Sequence, residues 1–201
     1  MHLPHFFRIN VLLELDGTFL AAKMHYLKRW FTGINLVGGT LVLGSYAWGL
    51  RFHPEATRLL WGGVPETIQS LSGVSMQAAT LGYFAFTLFI LLRVDAKRCT
   101  VLGHRGFGTF NILYAAILFP SALWMPLTFA AVDAGTSTSA WLVRALLALI
   151  GLASLGLLYA LLTLKPVQSR SGHRLALLGS ALFCLQTVVL DAVVWSMYFT
   201  A

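Results

Sequence analysis

The sequence predicts an all-α polytopic membrane bundle of five transmembrane helices with an N-terminal interfacial amphipathic helix. Three observations carry this reading. First, 58% of the 201 residues are hydrophobic and only 10% are charged, against about 25% charged in a soluble domain. One core cannot hide that much apolar surface from water, so the surplus faces lipid. Second, five uncharged or nearly uncharged runs, at about 30–50, 71–92, 107–132, 145–164 and 175–200, reach the roughly 20 residues needed to cross about 30 Å of hydrocarbon. Third, the basic residues cluster between alternate runs. The whole chain, 1–201, reads as a single membrane domain.

Before the first span, Leu12, Leu15, Phe19 and Ala22 recur at helical spacing, with Arg8, Glu14 and Asp16 between them. This is the pattern of an amphipathic helix lying in the interface. Glu14 and Asp16 also break the apolar stretch that a cleavable signal peptide would need. After the first span, EATRLLWGG is a shorter helical candidate. Pro65 and Glu66 then suit the first turn of the second helix, where a missing N–H costs nothing and a negative charge meets the positive dipole end.

The third run contains YAAILFPSALWMPLTF, residues 114–129. Pro120 and Pro126 each remove a helix hydrogen bond. In lipid the freed carbonyls need other partners, and the hydroxyls of Ser121 and Thr128 are close in sequence. A kink beside Trp124 opens space for a ligand or for a partner helix. The fourth helix starts near Trp141 and carries Arg144 in its first turns. The fifth contains one charge, Asp191. Small residues four apart (Thr40 and Gly44, Ser45 and Gly49, Ala78 and Gly82, Gly156 and Ala160) permit close helix approach.

The net charge is +7. With the amino terminus inside, 11 of the 14 lysines and arginines fall on the inner side, and only Arg51, Arg58 and Arg144 outside. The positive-inside rule therefore places the N-terminus inside and the C-terminus outside. Trp48, Trp61, Trp141 and Trp195 fall near the outer boundary and Trp30 near the inner one, as an interfacial belt. A bacterial or mitochondrial inner membrane accommodates such a chain. The basic residues set topology and touch lipid headgroups, so nucleic acid is not an expected partner.

Asp191 is the most informative residue, since an acid inside a span is costly unless paired. At 1.5 Å per residue it lies about 24 Å from the inner boundary, and Arg144 falls at about the same depth. An Asp191–Arg144 ion pair is expected. Trp124, 16 residues past Gly108, shares that depth. The trio reads either as the floor of a ligand pocket or as a packed helix junction. None of the six histidines lies mid-span, so no metal and no cofactor is expected. Cys99 and Cys184 differ by roughly 14 Å in depth, which disfavours a disulfide. No catalytic constellation occurs, so the chain does not read as an enzyme.

Tyr114, Leu118, Leu123, Trp124, Pro126 and Phe129, with the W-x-P-x-x-F spacing, stand in the third of five spans. In these residues the stretch resembles the third helix of the translocator and tryptophan-rich sensory protein family. Ser121 stands where that family usually has asparagine. The resemblance implies a small membrane protein that binds a hydrophobic or porphyrin-like ligand between its helices. Tyr114, Trp124, Pro126, Arg144 and Asp191 are the candidate ligand-binding residues. The alternative is an accessory subunit of a larger membrane complex, or a homo-oligomer, in which the bundle itself is the function.

Overall fold

The computed structural model describes the backbone of residues 5–53, 55 and 60–199, and the side chains among these from Tyr26 onward. Five long helices occur and, among the described residues, no strand. They are α1 (His5–Phe52), α2 (Glu66–Arg93), α3 (Gly108–Ala134), α4 (Ser137–Leu162) and α5 (Arg170–Tyr198). The last four are long and apolar enough to cross a membrane. The chain is thus an integral membrane protein built as an α-helical bundle.

Helix limits follow local chemistry. Pro65 precedes α2 at its N-cap, and Glu66 stands in the first turn. Gly135 ends α3 in the left-handed region (φ 58°), its N–H bonded to Ala131 O. Only glycine adopts that conformation without steric cost. Thr136 then caps α4 through the Ser139 N–H, and Ser169 caps α5 through the Gly172 N–H. The residues expected to form an interfacial helix and a first span form one continuous helix, α1. The amphipathic pattern of residues 8–22 falls on side chains outside the described set, and so does most of the EATRLLWGG helix.

The helices form a ring. α1 packs on α3, α3 on α4, α4 on α5 and α5 on α2, with a slight α2–α1 contact closing it. The end holding the α2–α3 and α4–α5 loops is the basic end; the α3–α4 turn marks the far end. Near the basic end an aromatic core fills the ring: Phe31 meets Tyr114 (4.5 Å) and Phe107 (5.8 Å), and Phe86 meets Phe183 (5.6 Å). A polar thread runs through it. Tyr83 donates to Asn35 Oδ1 (2.5 Å), and Thr87 shares a hydrogen bond with the Tyr114 hydroxyl (2.8 Å). The two loops tie to each other by paired Thr100–Lys165 backbone bonds and bury Cys99, Val101 and Phe107.

Candidate functional site

The last carbonyls of an α-helix have no intrahelical donor and carry the negative end of its dipole. Among the described residues, three helix C-termini are served by side chains from other segments. Lys28 Nζ donates to Leu91 O of α2 (3.1 Å). His173 Nε2 lies 2.8 Å from Leu161 O of α4. Arg144 donates through Nε to Ser196 O (3.2 Å) and through Nη2 to Phe199 O (2.8 Å) at the end of α5. Its guanidinium also stands over the Trp141 ring, 5.1 Å from the centroid.

The expected Asp191–Arg144 ion pair is therefore corrected. Arg144 is drawn to the α5 carbonyls, and Asp191 Oδ1 accepts instead from Gln186 Nε2 (2.8 Å). Backbone winding explains the partner. α5 is π-helical over Leu185–Trp195. With i→i+5 bonding, residues five apart stand one above the other. Gln186 and Asp191 thus share a face that a regular α-helix would not give them.

Gln186 is buried and Asp191 half-buried. On α5, Asp191 stands four residues before Trp195. Tyr46 of α1 packs against Trp124 of α3 (6.0 Å), and Trp124 against Trp195 of α5 (5.7 Å, edge to face). Trp195 Nε1 donates to Leu60 O (2.7 Å), and its ring stacks on Phe199 (4.4 Å). Three helices therefore bring Tyr46, Trp124 and Trp195 together, and Gln186 and Asp191 lie on the same π-helical segment as Trp195. Two buried polar atoms here have no hydrogen-bond partner in the protein: Trp124 Nε1, a donor, and Gln186 Oε1, an acceptor. Asp191 uses one carboxylate oxygen.

The sequence-derived residues divide between places. Trp124 belongs to this cluster, and Asp191 to its π-helical segment. Arg144 stands apart at the α5 terminus, so the expected meeting of Trp124, Arg144 and Asp191 does not occur. Tyr114 lies in the aromatic core near the basic end, 1% exposed, with its hydroxyl on Thr87. Pro126 is two residues past Trp124, and α3 passes through both prolines as one helix. Ser121 and Thr128 donate to Ile117 O and Trp124 O (2.7 Å each). The prolines release the carbonyls of Ala116 and Ala122, so the hydroxyls serve neighbouring carbonyls instead. Gln186 and Tyr46 were not singled out in the sequence. Their only sequence signal is a polar side chain within an apolar run.

Protein-family models, curated proteins and solved structures yield no match to the chain.

Proposed function

We propose that this chain is a non-enzymatic membrane protein that holds a flat hydrophobic, porphyrin-like molecule against Trp124, Gln186 and Asp191. The observation that carries the reading is the pair of unpartnered buried polar atoms, Trp124 Nε1 and Gln186 Oε1. Each such group costs about 1–3 kcal/mol, and hydrocarbon offers no water to relieve it. A molecule with an acceptor and a donor on one edge satisfies both, while the Tyr46, Trp124 and Trp195 rings receive its apolar face. The W-x-P-x-x-F resemblance points to the same class of ligand.

In this reading α1 crosses the membrane as a fifth span over about residues 30–50. The basic end faces inside, in a bacterial or mitochondrial inner membrane, and the Trp124 site lies in the outer half. The test is quenching of tryptophan fluorescence by protoporphyrin, titrated into the full chain in lipid nanodiscs. Saturable quenching that Gln186→Leu and Asp191→Asn weaken at least tenfold, about 1.4 kcal/mol, is the expected result. Quenching that never saturates, or is equal in the variants, refutes the site.

A second reading, an accessory subunit, is supported by α1. A Cβ built at Gly33, Gly39 or Gly44 meets nothing within 4 Å, which leaves room for another helix. Co-migration with a large assembly after stringent washing would favour it. A particle of one or two copies would count against it.

A further inference from the structure

At the basic end an open groove of about 450 Å³ runs along α1 toward α3, lined by Tyr26, Arg29, Trp30, Gly33, Val37 and Phe119. It is separate from the Trp124 cluster. From Arg29 to Val37 it extends about 12 Å at helical rise. Gly33 forms its floor, and a Cβ built there meets no atom within 4 Å. Tyr26 and Trp30, 54% and 52% exposed, stand edge to face at 5.8 Å beside the charge. Such rings mark the headgroup level of a bilayer.

The charge at the mouth is free. Arg29 is exposed and, among the described residues, makes no hydrogen bond or ion pair. Its neighbour Lys28 is committed to Leu91 O. At the same end of the bundle, α2 finishes on Arg93 and the α2–α3 loop carries Lys97, Arg98 and Arg105. The one acid of that loop, Asp95, accepts from the Lys97 backbone N–H. Arg29 is the one charge lining the groove, and the rest of its lining is aromatic, aliphatic or glycine.

We propose that this groove holds one anionic phospholipid. Its phosphate sits on the Arg29 guanidinium, whose planar donors match phosphate oxygens. One acyl chain lies over Gly33 and Val37 and reaches Phe119. Charge complementarity selects the occupant: a second copy of this chain would bring another Arg29 to the same mouth, whereas an anionic headgroup brings the opposite sign. The groove filled by a chain, with the phosphate at its aromatic rim, is the geometry of a single bound lipid.

The test is native mass spectrometry of the full chain in mild detergent, with phosphatidylglycerol or phosphatidylcholine of the same acyl chains added. One retained phosphatidylglycerol per chain is expected, in preference to phosphatidylcholine. Arg29→Gln should lower its affinity about fivefold, the worth of one basic side chain near an anionic surface. Gly33→Leu should remove the adduct with Arg29 intact, and circular dichroism checks that the variant stays helical. Equal retention in wild type and both variants overturns the proposal. So does loss with Gly33→Leu alone, which would mean an apolar slot indifferent to phosphate. So does a two-copy particle that Gly33→Leu dissociates.

Discussion

Substitution of Gly82 by alanine puts the closest backbone-to-backbone approach at the described glycines to a quantitative test. α2 and α5 cross where Gly82 faces Gly179. A Cβ on Gly82 would lie 2.9 Å from both Cα and the carbonyl carbon of Gly179, and one on Gly179 would lie 2.8 Å from Gly82 Cα. The atoms met are backbone, so no side chain can swing aside. Carbon atoms rest at about 3.5–4.0 Å, so one methyl drives the helices apart by roughly 0.6–1 Å. A gap of that size forfeits a quarter to a half of each contact along the seam, where Ala79, Phe86, Ala176 and Ser180 are buried. Overpacking of this kind costs about 3 kcal/mol at the upper end of its usual range. Alanine returns about 1 kcal/mol of helix propensity, leaving a net loss of about 2 kcal/mol. Gly39→Ala, with nothing within 4 Å, receives the propensity gain alone. The two variants should differ by about 3 kcal/mol in reversible unfolding of the full chain in mixed SDS micelles. Adding Gly179→Ala to Gly82→Ala should cost less than the sum, because the helices are already apart. A Gly82→Ala stability within about 0.5 kcal/mol of Gly39→Ala would refute the backbone contact.

Other outcomes follow from the helix ends, the site and the loops. Arg144→Met should cost about 3 kcal/mol by leaving Ser196 O and Phe199 O without donors; a double-mutant cycle with Asp191→Asn should show a coupling below about 0.5 kcal/mol, and a larger coupling would restore the ion pair. Trp124→Phe keeps an aromatic ring and deletes an unpartnered donor, so micellar unfolding should show equal or greater stability while protoporphyrin quenching weakens; a loss of stability without loss of quenching would contradict the assignment. Burial pushes the Cys99 thiol above its ordinary value, with Asp95 adding to the shift. In a Cys184→Ala background, iodoacetamide should therefore label folded Cys99 more slowly than the unfolded chain at about pH 8.5, near the ordinary thiol value. The buried neutral thiol's stability contribution is complete below that ordinary value and is lost as pH rises through the raised one. Equal labelling rates would contradict the burial.

The bundle itself was legible because hydropathy and length are one-dimensional quantities. Helices α2 to α5 coincide with the four later apolar runs to within one or two residues where a helix falls short of its run, with extra turns at Glu66, Ser137 and Arg170 where caps rather than hydropathy set the limit. Ala78 and Gly82 stood out as a small pair, and Gly82 does meet a backbone. Gly156, from another such pair, meets only the end of a leucine side chain, Leu113. Spacing identifies a small face but not what packs on it.

The site was less legible, and the reason is winding and competition for donors. Depth counted at 1.5 Å per residue put Arg144 beside Asp191, since depth alone ignores which way each side chain points. Gln186 and Asp191 are five apart, a spacing that separates them on an α-helix. Only the π segment, Leu185–Trp195, brings them onto one face, and apolar periodicity does not announce a π-helix. Arg144, for its part, had a competing acceptor invisible to a charge count. A helix terminus presents several open carbonyls at one point, and Arg144 satisfies two of them at once. A single carboxylate offers no such convergence. The same rule assigns Lys28 and His173 to Leu91 O and Leu161 O. In this bundle Lys28, Arg144 and His173 stitch helix ends, and that leaves Asp191 with a neutral partner, Gln186.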